Sequence, residues 1–166
     1  MTNHWWQGPL CVTSCGLTTS PIPYGARSFQ IDLDFIKQTL QISINDGKRE
    51  EIALGPRSVA DFYTELMSRM PSLGLDVRIW TLPCEIEHPI PFGEDHQHAA
   101  YDPEFANRFW RILVQADRVL TAFRASFLGK VSPVHFSWGS FDLAVTRFSG
   151  RWAPQHPGAP NALPTR

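Results

Sequence analysis

Two runs of strict alternation constrain this chain more than any other feature. Phe29, Ile31 and Leu33 alternate with Gln30, Asp32 and Asp34, and Leu40, Ile42 and Ile44 alternate with Gln41, Ser43 and Asn45. A two-residue period belongs to strands buried on one face only, so both strands keep one face wet. Asp46-Gly47 follows directly, a dipeptide whose residues tolerate the positive φ of a tight hairpin turn, and Glu51 to Leu54 complete the returning strand. Outside this hairpin, Leu10 to Ser14 reads as a short strand, and Val77, Ile79 and Trp80 as another. Gly16 to Gly25, punctuated by Pro21, Pro23 and Gly25, reads as an irregular loop.

A sheet with one apolar face needs a cover. One helix is predicted from near Ser58, with Pro56 ahead of it and Asp61 three residues on. Hydroxyl and carboxylate at that spacing satisfy the N–H groups that a helix start leaves without partners. Pro71 and Gly74 stop this helix, and its Val59, Phe62, Tyr63, Leu66 and Met70 form one core-facing stripe. A longer helix is predicted from about Pro103 to Phe127, where Phe105, Phe109, Ile112, Ala116, Val119, Leu120, Phe123 and Phe127 recur at helical spacing and mark it as the central helix of the core. Gly129 ends it, and two short strands, Val134 to Trp138 and Phe141 to Thr146, close the fold around Gly139. The expected class is α+β, an antiparallel or mixed sheet with two main helices packed on one face. A single domain over 1–151 is expected, followed by a disordered tail over 152–166 that carries Pro154, Pro157, Pro160 and Pro164.

A hydrophobic share of 43% and a charged share of 19% are those of a folded chain. The formal net charge of −1 supplies no overall field for nucleic acid or an anionic membrane, so a nucleic-acid partner is not expected. No segment approaches the ~20 apolar residues of a membrane span, and Met1-Thr2-Asn3-His4-Trp5-Trp6 lacks the basic and apolar regions of a signal peptide. Cys11, Cys15 and Cys84 are an odd set in a chain that needs no staples, which points to reduced thiols and to the cytoplasm. Neither G-x-G-x-x-G nor G-x-x-x-x-G-K-[ST] occurs, so no nucleotide cofactor is assigned.

Three stretches carry a resemblance: Gly16-Leu17-Thr18-Thr19-Ser20-Pro21-Ile22-Pro23-Tyr24-Gly25, Tyr101-Asp102-Pro103-Glu104-Phe105-Ala106-Asn107-Arg108-Phe109-Trp110-Arg111, and Pro133-Val134-His135-Phe136-Ser137-Trp138-Gly139-Ser140-Phe141-Asp142-Leu143. From Asn3 to about Pro157 the chain resembles the mainly bacterial domain-of-unknown-function family 5996. The resemblance implies no activity. It implies an N-terminal portion of a longer member, whose pocket would be open or incomplete.

Four groups of residues could carry chemistry. In the closing hairpin, a turn at Trp138-Gly139 sets His135 opposite Asp142 and Ser137 opposite Ser140, whereas a turn at Gly139-Ser140 sets Ser137 opposite Asp142. Either way His135, Ser137 and Asp142 share one face, with Phe136, Phe141 and Leu143 on the other. An imidazole beside a carboxylate has the tautomer and basicity of a general base, although no G-x-S-x-G elbow accompanies the serines, and a buried polar network fits the same residues. Glu94, Asp95, His96, His98 and Asp102 offer metal-ligand types in a loop without H-E-x-x-H or a spaced Cys/His set, and no metal is assigned; the C-x₃-C pair Cys11 and Cys15 adds little. Arg108, Arg111, Gln115 and Arg118 form a polar stripe with Trp110 nearby, suited to a small anion or a protein, while Glu104 and Asp117 are placed to neutralise it. Tyr24 ends a proline-held loop that could wall a pocket.

Together these predict a small-molecule pocket where the Glu94 to Asp102 loop meets the polar face of the closing hairpin. His135 is its base or anchor, Asp142 the orienter, and Tyr24, His98, Ser137, Arg108 and Arg111 are ligand contacts. Its ligand, reaction and cofactor are not named by the residues. The rival reading is a non-catalytic module that docks by its sheet or its arginines onto a second copy, a partner or a missing complementary half. A third is a truncated chain without independent function.

Overall fold

The alternating hairpin becomes the centre of an antiparallel sheet. A computed structural model describes residues 8–83, 86–139 and 141–152. Its strands are β1 (Cys11–Val12), β2 (Gly16–Thr18), β3 (Ile22–Tyr24), β4 (Arg27–Asp34), β5 (Thr39–Ile44) and β6 (Arg49–Ala53), in the order β1-β2-β4-β5-β6 with β3 also paired to β4. Every pairing is antiparallel. Two helices, α1 (Val59–Arg69) and α2 (Pro103–Ala125), and a separate ribbon of β7 (His135–Ser137) and β8 (Asp142–Ala144) complete an α+β fold. No described helix is long and apolar enough to cross a membrane. Cys84, Ser140 and the tail from Ala153 lie outside the described residues.

Register explains the alternation. Leu17 faces Leu33, Leu33 faces Leu40, and Leu40 faces Ile52, one apolar row across four strands on the covered face. One position along, Thr18, Asp32, Gln41 and Glu51 make the corresponding row on the wet face. Gly47, at φ 96°, turns the β5–β6 hairpin as expected.

Two segments differ from the sequence expectation. Residues 16–25 hold β2 and β3 rather than an irregular loop. Pro23 is tolerated because β3 pairs on one side only, where its missing N–H costs no ladder bond. Gly16 lets β2 lie against β4, since a Cβ there would sit 1.7 Å from the Leu33 carbonyl oxygen. Conversely, Val77 to Trp80 form no strand. The segment leading into it is held by side chains instead: Arg27 donates to the Leu73 and Gly74 carbonyls at 3.2 and 2.7 Å, and the Asp76 N–H donates to the Tyr24 hydroxyl at 2.9 Å.

Both helices sit on the apolar face. Ser58 caps α1, its hydroxyl accepting from the Asp61 N–H at 3.1 Å and donating to the Asp61 carboxylate at 2.7 Å. Met70, Leu73 and Leu75 then close a core over Phe29, Leu40, Ile42, Ile44 and Ile52. Asp102 caps α2 through the N–H groups of Glu104 and Phe105. A second core gathers Trp110 and Leu113 of α2 with Leu17, Phe35 and Phe136.

The roll of α2 corrects the periodicity reading. Phe105, Ile112, Val119 and Phe123, expected in the core, are 66, 65, 69 and 46% exposed, and the buried side carries Trp110 and Leu113 instead. The helix has more apolar surface than the short strands β1 and β2 can cover. Which side turns inward is set by Trp110, the residue whose indole N–H reaches a backbone acceptor, the Thr13 carbonyl at 3.1 Å.

Candidate functional site

Among the described residues, Leu33 and Leu54 pack against both cores and join them. Above that seam, α1 and the segment leading into α2 stand apart and leave a cleft of about 700 Å³. Leu33, Phe35 and Leu54 floor it, Val59 and Phe62 of α1 form one wall, and residues 97–101 form the other. Its size and apolar lining are those of small-molecule sites.

The second wall carries the polar chemistry. Asp95 is buried, and its carboxylate accepts from the N–H groups of Gln97 and His98, each at 3.1 Å, and lies 2.8 Å from His98 Nδ1. This turn is locked to α1 by its backbone. The Val59 N–H donates to the His98 carbonyl and the Ala60 N–H to the Asp95 carbonyl, both at 3.0 Å. The first N–H groups of α1, orphans in an isolated helix, therefore hold the loop in place.

Burial pushes the Asp95 carboxyl up, but the His98 N–H, the imidazole and the Gln97 N–H outweigh it and hold the pKa below the ordinary carboxylate value. An ionised carboxylate at Nδ1 keeps the ring proton on that nitrogen and leaves Nε2 as an acceptor. The His98 side chain is 67% exposed at the cleft, and Nε2 has no hydrogen-bond partner among the described residues.

Three other polar side chains at the cleft, those of Tyr101, Arg57 and Ser58, make hydrogen bonds of their own, although the buried Arg57 Nε has no partner among the described residues. The Tyr101 hydroxyl donates to Gln38 Oε1 at 2.6 Å, and burial pushes its phenol up. Arg57 pairs with Glu65, donates to the Ala53 carbonyl, and lies 4.8 Å over the Phe62 ring. The Ser58 hydroxyl is committed to its cap. The cleft is thus an apolar trough with one oriented imidazole and no free hydroxyl nucleophile among these groups.

A family model described as "Family of unknown function (DUF5996)" matches residues 1–166. The chain belongs to that family. No curated protein and no solved structure matches it. The three stretches that carry the resemblance supply, in this DUF5996 member, the β2–β3 region, the end of the cleft wall with the start of α2, and the β7–β8 ribbon.

Of the residues singled out in the sequence of this family member, His98 lies in the cleft and the rest lie elsewhere. In the ribbon, Ser137 faces Asp142 and His135 faces Ala144, the second of the two registers considered. His135, Ser137 and Asp142 share a face, but His135 Nδ1 lies 2.9 Å from the Pro133 carbonyl, and no described hydrogen bond joins it to Asp142. None of the three lines the cleft. Tyr24 pins Asp76, Arg108 pairs with Glu104 one helical turn away, and Arg111 is exposed on α2.

Among the described residues no group of three or more His, Cys, Asp or Glu is placed to hold a metal, and Cys11 and Cys15 are free thiols. Asp95 acts beside His98 rather than as one ligand in a loop cluster. The signal for the pair was the Asp-x-x-His spacing itself, which lets one carboxylate accept from two following N–H groups and the imidazole together.

Proposed function

We propose that this protein binds a small, mainly apolar molecule in the cleft above Leu33 and Leu54, and that His98, oriented by Asp95, acts as general base or hydrogen-bond acceptor toward it. The observation that carries the reading is the 2.8 Å contact of Asp95 with His98 Nδ1 beside an apolar trough, with Nε2 unengaged among the described residues. The base role is assigned to His98 rather than His135 because His98 lines the cleft and has a carboxylate at Nδ1, whereas His135 lies outside the cleft and its Nδ1 meets only the Pro133 carbonyl among the described residues. The free thiols Cys11 and Cys15 support a reducing compartment, the cytoplasm.

The test is NMR titration of the full chain with phenol and with benzene, two probes of similar shape that differ in one O–H donor. Both are expected to shift the methyl signals of Leu33 and Leu54, and only phenol the Nε2 signal of His98. Val59→Trp, which fills the cleft from the α1 wall, is expected to abolish both responses. Shifts that leave Leu33 and Leu54 untouched, or that persist in the Val59→Trp variant, would refute the site. A His98 signal that responds equally to benzene would refute its acceptor role.

A further inference from the structure

An apolar side of α2 that is only partly covered has an ordered spacing: Phe109 packs against the second core and the Arg147 guanidinium lies 3.4 Å over the Phe123 ring, while Ile112 and Val119 between them stand open. Phe105, Phe109, Ile112, Ala116, Val119 and Phe123 follow one another in steps of four and three residues, the alternation that lines the seam of two packed helices. At 1.5 Å per residue the stripe runs about 27 Å along the axis. Phe105, Ile112 and Val119 are each about two-thirds exposed.

The two edges of this seam differ. One is closed by the protein's own fold: Leu113 is buried, and the Phe109 ring lies 5.9 Å from Phe136 and 5.8 Å from Phe141. Phe141 holds a left-handed backbone, φ 56°, strained for an aromatic residue, and is 68% exposed beside the seam. The other edge carries Arg108, Arg111 and Arg118. Glu104 meets Arg108, the Gln115 amide oxygen meets Arg118, and Arg111 has no acidic partner among the described residues. Beside Arg111 lies a hollow of about 660 Å³ between Trp110, Val114 and Ile112.

We propose that this face of α2 docks an acidic amphipathic helix of a partner protein. Its apolar residues pack along the seam and its carboxylates meet the arginine edge. The four-three spacing selects a helix over an extended strand, whose side chains recur every two residues. Charge selects an acidic partner over a second copy of this chain. An antiparallel pair would set the arginine edge against itself, and a parallel pair would set it against the edge already closed by Leu113 and the ribbon.

The test is selection from a phage-displayed library of amphipathic helices, with a fixed leucine stripe and flanking positions randomised among Glu, Gln and Lys, against the full chain. Selected helices are expected to carry Glu beside the leucines and to bind more weakly as salt rises from ~0.1 to ~0.5 M. They should lose about tenfold in affinity to Arg111→Glu, and all measurable affinity to Ile112→Glu. Both side chains are exposed, and unchanged circular dichroism and thermal midpoint check that the variants fold. Selection blind to charge, or binding that survives Ile112→Glu, overturns the proposal. So does self-association in sedimentation velocity, or attachment to phosphatidylglycerol vesicles, that Ile112→Glu abolishes.

Discussion

Truncating the two sides of α2 one at a time shows which side holds the fold. Trp110 is 8% exposed and donates its indole N–H to the Thr13 carbonyl at 3.1 Å. Trp110→Ala empties a packed site and removes that bond, a change worth about 3–5 kcal/mol. Phe105 is 66% exposed, and Phe105→Ala stays within about 0.5 kcal/mol. In a chain of this size each kcal/mol moves the thermal midpoint by about 2–4 °C, so Trp110→Ala lowers it by roughly 6–20 °C and Phe105→Ala by less than about 2 °C.

Leu113→Ala and Ile112→Ala repeat the contrast with neighbouring aliphatic residues that are 5% and 65% exposed. Leu113→Ala should cost about 2–5 kcal/mol and Ile112→Ala close to none. Urea unfolding followed by far-ultraviolet circular dichroism measures all four. Equal losses for Phe105→Ala and Trp110→Ala, or a reversal of the Leu113 and Ile112 pair, would mean that α2 is rolled the other way, and the exposed seam would not exist.

Two further outcomes follow from single contacts. Gly16→Ala places a Cβ 1.7 Å from the Leu33 carbonyl oxygen, a backbone atom that cannot swing aside, so β2 must separate from β4; urea unfolding should show a loss of about 1–3 kcal/mol or more. The Asp95 pKa is lower in the folded chain than the ordinary 3.8, so its contribution is fully present above about pH 5 and is lost as pH falls below 3.8 through the folded value. The stability difference between the wild type and Asp95→Asn, followed by urea midpoints across an acid series, should be flat at neutral pH and shrink in that acid window. A difference that grows toward acid would contradict the assigned hydrogen bonds.

The alternation of Phe29 to Asn45 gave the covered and wet faces residue by residue because a strand's period is two and each apolar side chain has one choice of face. The Ser58 and Asp61 cap and the Asp46-Gly47 turn were equally readable, since both are chemistry within four residues. α2 was readable as a helix but not in its roll. A helix with apolar residues on most of its circumference has several candidate faces, and the choice fell to a bond between Trp110 and Thr13, residues 97 positions apart. Likewise β3 pairs through register with β4, which outweighs the local signal of Pro21 and Pro23. His98 stands out in the sequence by its type and loop, and the structure sets it at the cleft. Its partnership with Asp95 is local, carried by the Asp-x-x-His spacing, whereas the cleft floor depends on how far α1 and the segment leading into α2 stand apart, a distance written in no local pattern.

The cleft and the exposed seam have one physical origin. Trp110 ties α2 to Thr13 at the β1–β2 end of the sheet, while Met70, Leu73 and Leu75 tie α1 and its exit to the β4–β6 part. Two covers anchored at opposite ends of one apolar face leave Leu33 and Leu54 between them with neither helix overhead, and that uncovered floor is the cleft. The same anchor fixes α2 with Trp110 inward, which turns Phe105, Ile112 and Val119 out. The two surfaces are nevertheless energetically separable. The cleft wall rests on backbone bonds from Val59 and Ala60 to the Asp95–His98 turn, whereas the seam rests on side chains of α2 bordered by Phe136, Phe141 and Arg147. A substitution such as Ile112→Glu should therefore leave the phenol response of His98 unchanged, and Val59→Trp should leave helix docking unchanged.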